Sequence, residues 1–364
     1  VVFVNRFASG HDYQSPELER AMLTVPSDTH DTSSALEGGK TGAQKPPSEI
    51  VIGIRHPQSA SRLMSHGMAL ANAFGGDVVL LHALDSQSNG AHPVDPVEWD
   101  IHRRDIESLL GTCAKDHENP NRSISTHILE GNCLEQISAF MLAQPKETIV
   151  VLGEGQSLPQ ETGKFAQAVL ALSQASILRV PTVGARRKGG GYARILVPID
   201  GSARAESVLP RAVRLASAEN SELMLCYVTP PPGVAEIGVS DDEAIALRKQ
   251  VTERNKRIGK SYLDGITGRL AGTGVVISTR TVVGEDARRS LLQVAKDQNA
   301  DLIIIASHGQ SGHSDVPAGD VASFVLKHSG IPVLMLRQSM KHAEEHAFSS
   351  TASKGVRQPA GPKL

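Results

Sequence analysis

Short apolar runs of five to seven residues alternate with segments whose apolar positions recur at helical spacing, and this alternation continues along most of the chain. The runs at 50–54, 78–84, 125–129, 148–152 and 177–183 predict strands. Between them, 62–74, 99–110, 134–142 and 165–173 carry the three-to-four-residue apolar period of amphipathic helices. In 62–74 the period falls on Leu63, Met68, Leu70 and Ala71, and Gly75-Gly76 stops the helix. After a basic, glycine-rich stretch at 186–191 the same plan starts again. Strands are predicted at 194–199, 222–228, 275–282, 302–306 and 331–336, with helices at 205–216, 241–270, 287–298 and 321–328. Strands separated by helices predict a parallel sheet with right-handed crossovers.

The two runs are offset copies of one another. Asp200 to Glu222 and Arg55 to Asp77 both span 22 residues, as do Gly284 to Ala306 and Gly131 to Gly153. Two such agreements inside a matching order of elements predict a tandem duplication. The expected fold class is α/β, with two tandem doubly wound domains of five mostly parallel strands each. The expected division is a disordered arm over 1–47, domains over 48–186 and 192–338, and a disordered tail over 339–364. The last strands, around 180–185 and 332–336, are expected to pair or approach across an internal pseudo-two-fold, because an apolar edge left bare invites aggregation.

Composition narrows the function. The 37 basic and 39 acidic residues nearly cancel, so no field for nucleic acid or an anionic membrane is built in. Aromatic residues are only 3% of the chain, leaving few platforms on which bases could stack. Cys113, Cys133 and Cys226 lack CxxC spacing, which points to a reducing compartment and away from structural zinc. The 14 histidines form no HExxH pattern. No apolar run is long enough to span a membrane, and a cytoplasmic protein is expected.

Two stretches could carry chemistry. Asp200 ends the first strand of the second half, in the run ILVPIDGS, where ligands sit in open parallel sheets. It could equally serve the Asp-Gly turn or cap the next helix. The second stretch is the glycine-bearing loop 307–319, which follows the strand 302–306 and leads onto a helix N-terminus, a favourable place for an anion.

The segments VPIDGS, VVGEDARRSLL and ADLIIIASHGQSGHSDVPAGDVASFVLKHSGIPVLML resemble the universal stress protein family over residues 194–337, with a fainter likeness over 49–184. The resemblance implies an adenine-nucleotide alpha-hydrolase-like fold and a nucleotide loop reading Gly, two residues, Gly, nine residues, then Gly with Ser or Thr. Here the frame is Ala306, Gly309, Gly319 and Asp320, so the spacing is kept while two identities differ. Carried over residue by residue, Pro198, Ile199 and Asp200 would hold the adenosine end and Val228 would line the adenine pocket. His308, Gly309, Gly319 and Asp320 would surround ribose and phosphates, with Val321 opening the helix behind them. Ala306 adds one methyl group.

Asp320 is the larger departure. It loses a hydroxyl donor worth about 1.5–3 kcal/mol toward phosphate. It also sets a charge beside the phosphates, repulsive by about 4 kcal/mol for a unit pair at about 4 Å and an effective dielectric of about 20. Bridging Mg²⁺ would reverse that sign; otherwise Asp320 reads as a helix N-cap. ATP with Mg²⁺ is the implied cofactor, and no metal site of the protein's own is expected. In the first half Arg55 stands in the place of Asp200 and Gly153-Glu154-Gly155-Gln156 replaces the loop, so that half reads as degenerate.

Three classes follow: a nucleotide-binding stress module, a non-nucleotide interaction or dimerisation module of the same fold, and an enzyme such as an ATP pyrophosphatase. The last would need a Ser-Gly-Gly-x-Asp-Ser loop after the first strand, which Asp200-Gly201-Ser202 does not supply. No enzyme is expected beyond slow incidental ATP hydrolysis. The expected partners are an unidentified protein and the chain's own second half as an internal pseudo-dimer, with homodimerisation left open and neither nucleic acid nor membrane involved.

Overall fold

A computed structural model describes residues 49–84, 95–120, 122–144, 148–153, 159–173, 175–181, 191–229, 242–309 and 318–337. The arm and tail expected at the two ends, the prolines at 230–232 and most of the loop 307–319 lie outside these residues. The first half runs β1 (Ile50–Gly53), α1 (Ala60–Phe74), β2 (Val78–Leu84), α2 (Pro96–Asp116), β3 (Ile124–Glu130), α3 (Cys133–Ala143), β4 (Ile149–Gly153), α4 (Pro159–Leu172) and β5 (Ser176–Val180). The second runs β6 (Arg194–Pro198), α5 (Ala203–Glu206), α6 (Leu209–Glu219), β7 (Glu222–Thr229), α7 (Asp242–Leu270), β8 (Ile277–Val283), α8 (Ala287–Asp297), β9 (Leu302–Ala306), α9 (Asp320–His328) and β10 (Val333–Leu336).

The ten strands form one sheet, ordered β3-β2-β1-β4-β5-β10-β9-β6-β7-β8. Read outward from the join, each half has the same order, and all pairs within a half are parallel. Five parallel strands per half is the expected arrangement. The edge strands β3 and β8 begin with the same tripeptide, Ile124-Ser125-Thr126 and Ile277-Ser278-Thr279. Helices α1, α2, α6 and α7 cover one face, and α3, α4, α8 and α9 the other. The eight inner strands are largely buried on both sides, which is why they read as continuous apolar runs, whereas β3 and β8 at the edges are partly exposed.

The two halves meet through the single antiparallel pair, β5 with β10, in the register Val333 to Arg179, Leu334 to Leu178 and Met335 to Ile177. The expected pairing of the last strands is present, at 177–179, while 182–185 of the expected stretch lie outside the described residues. β5 ends at Val180 because Pro181 follows, and proline has no N–H for a ladder. Around the join each half caps a helix of the other. The Arg179 side chain, 2% exposed, donates from Nη1 to the carbonyls of Leu326 (2.6 Å) and Ser329 (3.1 Å), and from Nη2 to Ser329 (2.5 Å), at the end of α9. Reciprocally, Arg337 donates to the carbonyls of Leu170 (2.9 Å) and Ser173 at the end of α4. A cation there satisfies carbonyls that the helix leaves open and offsets its negative end. On both faces helices also pack across the join, α1 on α6 and α4 on α9.

Two helix boundaries differ from the pattern. The helix expected over 205–216 is two, α5 and α6, because Pro210 cannot donate the N–H that would bond Glu206. α2 starts earlier than expected, at Pro96, capped by Asp95, whose side chain accepts from the Val97 N–H at 2.8 Å.

His82 is 4% exposed on β2, and its Nδ1 lies 2.6 Å from the Ile54 carbonyl. Burial holds its pKa below the ordinary value, opposed by that hydrogen bond and helped by His102 and His56. The folded state therefore resists a proton that the unfolded chain accepts. As pH falls below about 6.5 the fold is expected to lose stability, by at most about 1.4 kcal/mol per pH unit from this group. Urea titrations at pH 7.5 and 5.5 check this. His82→Gln should flatten the difference, and an unchanged slope would refute it.

Candidate functional site

Between β6 and β9 the direction of chain winding reverses, and a cleft of about 560 Å³ opens there at the carboxyl ends of the strands. Pro198, Ile199, Asp200, Val228, Ala306, His308, Gly309, Gly319, Asp320 and Val321 all line it. These are all ten residues singled out from the sequence. The cleft's remaining lining, which the sequence reading did not assign, includes Cys226, Ala287, Leu291 and Ala322.

Asp200 stands just past the end of β6. Its Oδ1 accepts from the Ser202 N–H (3.0 Å) and the Ser202 hydroxyl (2.6 Å), while Ser202 caps α5 by accepting from the Ala205 N–H (3.0 Å). One oxygen is thus pinned to the Asp-Gly turn, where Gly201 has φ +87. The other faces the loop: a Cβ built on Gly309 would stand 2.3 Å from Asp200 Oδ2. Any larger residue at 309 would have to push the Asp200 carboxylate aside.

The two feet of the loop meet where the Gly319 N–H donates to the Ser307 carbonyl at 2.7 Å. Gly319 is the N-cap of α9 and offers no side-chain acceptor to its first turn. Asp320 is therefore the first residue of the helix, and the N-cap reading of its side chain is corrected. Its carboxylate instead meets Arg288 Nη1 at 3.0 Å. Arg288 is itself held by Asp286, Nε to Oδ1 at 2.9 Å and Nη2 to Oδ2 at 3.1 Å. Those bonds hold the Asp286 carboxyl below, and the Arg288 guanidinium above, their ordinary values.

The walls suit the two ends of a nucleotide. Ile199, Val228, Leu291 and Val321 give an apolar part, and the α9 N-terminus and Arg288 give an anion-favouring rim. The extra methyl of Ala306 also packs in the core on the α1–α6 side with Leu302 and Ile304. Burial pushes the Cys226 thiol up to about 12, so at neutral pH it serves as wall rather than nucleophile. Mg²⁺ fits less well, because the Asp320 and Asp286 carboxylates are both engaged by Arg288. No group of three ligating side chains stands together among the described residues.

The corresponding place in the first half holds a different pair of side chains. Ser173 and Ser329 close α4 and α9 alike, through N–H bonds to the carbonyls of Val169 and Val325. In that frame Phe165 matches Val321, and Arg55 matches Asp200. The Arg55 guanidinium lies 4.3 Å from the centroid of the Phe165 ring, a cation–π contact where the second half has its cleft.

Residues 191–337 match the family model described as the universal stress protein family. Universal stress protein Sll1388 of Synechocystis sp. is 32% identical over 158 residues, spanning 40% of this chain and 99% of that protein. YxiE of Bacillus subtilis is 30% identical over 152 residues, again 40% of this chain and 99% of that protein. The crystal structure of a universal stress protein from Archaeoglobus fulgidus shares the fold over both halves. Its TM-score is 0.55 at 13% identity, covering 81% of this chain and 98% of that one. With a relative above 30% identity matched almost end to end by the second half, this chain belongs to the universal stress protein family.

Proposed function

We propose that the chain is a tandem stress-response module that holds one adenine nucleotide, of the class that includes ATP, in the second-half cleft. The observation that carries this reading is the convergence of Asp200 and Gly309 at the carboxyl ends of β6 and β9, beside an apolar pocket and the open end of α9. In this reading Ile199 and Val228 enclose the base, Asp200 accepts from the adenosine end through Oδ2, and Gly319 with the first turn of α9 receives phosphate. The nucleotide acts by occupancy: it bridges β6, the loop and α9, and so favours one arrangement of them for a protein partner. His308 lines the cleft and its Nδ1 lies 3.0 Å from the Ser307 hydroxyl, but Ser307 is 4% exposed and outside the lining, which favours a binding module over an enzyme.

The first half is proposed to be a diverged copy kept for packing. Its Arg55–Phe165 contact favours the interaction role there. The last-strand edge of each half is taken within the chain, by β5 on β10, which leaves β3 and β8 as the outer edges of the sheet. Equilibrium dialysis of the full chain against labelled adenosine and ATP tests the proposal. Saturable binding of one nucleotide per chain is expected, and no saturable binding of either would overturn it.

A further inference from the structure

We infer that the Arg288–Asp320 pair sets the number of phosphates, so that the cleft takes a nucleoside monophosphate in preference to a triphosphate. The inference rests on the nucleotide reading of this cleft. Arg288, in the first turn of α8, is fixed from two directions. Asp286 grips Nε and Nη2 as a fork, and Cζ lies 5.3 Å from the centroid of the Phe324 ring. Its Nη1 is aimed at the start of α9, where it meets Asp320 Oδ2.

The two partners of that bond differ in freedom. The Arg288 side chain is 38% exposed and held by Asp286, whereas the Asp320 side chain is 78% exposed. An ion pair this open to water is weak. Asp320 therefore behaves as an internal anion resting on a prepared cation at the helix mouth. A phosphate carries more charge and more acceptor oxygens than a carboxylate, and can take over both Arg288 and the first turn of α9.

One phosphate exchanges places with Asp320 on Arg288. A second and third would find the Asp286 and displaced Asp320 carboxylates close by. Arg289, 3.7 Å from Asp286, is the other cation at this rim among the described ion pairs. The two arginines are already balanced by the two aspartates, so each added phosphate increases repulsion. Magnesium, which ordinarily offsets a polyphosphate, would have to draw Asp320 away from Arg288.

Calorimetry of the full chain in chelator against adenosine, AMP and ATP tests this, on the parent and on Arg288→Met and Asp320→Asn. The parent should bind AMP about tenfold more tightly than adenosine or ATP, the size of one charge-assisted hydrogen bond. Arg288→Met should remove the advantage of AMP and leave adenosine unchanged. Asp320→Asn should strengthen ATP more than AMP. ATP binding the parent as tightly as AMP without metal, or Arg288→Met changing adenosine and AMP equally or neither, would overturn the inference. Failure of adenosine, AMP and ATP alike to bind the parent would refute the nucleotide reading itself, and this inference with it.

Discussion

Replacing Arg179 with Met is expected to lower the stability of the fold by about 3 kcal/mol, the largest effect of any single change at the join. The side chain gives three charge-assisted bonds to the Leu326 and Ser329 carbonyls. Its loss leaves two buried acceptors without that donor, at about 1–3 kcal/mol each. Met occupies a similar volume, so no large cavity adds to the cost, and relief of a desolvated cation returns part of it. The matching change at Arg337 should cost less, because that side chain is only half-buried. Urea denaturation followed by circular dichroism measures both. A loss below about 1 kcal/mol for Arg179→Met would mean that the caps are incidental to the union of the halves.

The second large effect is expected at Gly309. A Cβ there would lie 2.3 Å from Asp200 Oδ2, and Asp200 cannot simply turn aside because Oδ1 is tied to Ser202 by two hydrogen bonds. Gly309→Val should therefore force apart the carboxylate and the loop that together define the cleft. Adenosine affinity should fall by about a hundredfold or more, equivalent to about 3 kcal/mol. The sheet should keep its stability, because Gly309 lies beyond the end of β9 and outside both core clusters. Adenosine affinity unchanged in a folded Gly309→Val protein would place the ligand elsewhere.

The apolar pattern made the repeat, Asp200 and the glycine loop legible, for related reasons, while the other cleft residues were named through the family resemblance. Strands buried on both faces leave apolar runs of fixed length, and a crevice at their carboxyl ends is built from residues adjacent to those runs. Asp200 and Gly309 are each two or three residues beyond a strand, so finding the strands finds these two segments of the site. Leu291, which lines the cleft from α8, and Arg288, which meets Asp320 at its rim, were not found because no local pattern fixes the rotation of a helix about its axis. The Asp286 N-cap after β8 was the available signal, since it puts another helix N-terminus at the same end of the sheet. Asp320 was misread as a cap because the boundary between Gly319 and Asp320 depends on backbone angles. Arg179 was passed over because an arginine inside an apolar strand looks like an exposed edge until its partners on α9 are visible.

The central claim is that one adenine nucleotide occupies the second-half cleft and none occupies the first. It is tested most directly by calorimetric titration of adenosine into the full-length parent, Asp200→Ala and Arg55→Ala. The account predicts one site per chain in the parent, its loss in Asp200→Ala, and parent-like binding in Arg55→Ala. Two sites per chain, or binding that survives Asp200→Ala and disappears with Arg55→Ala, would contradict it.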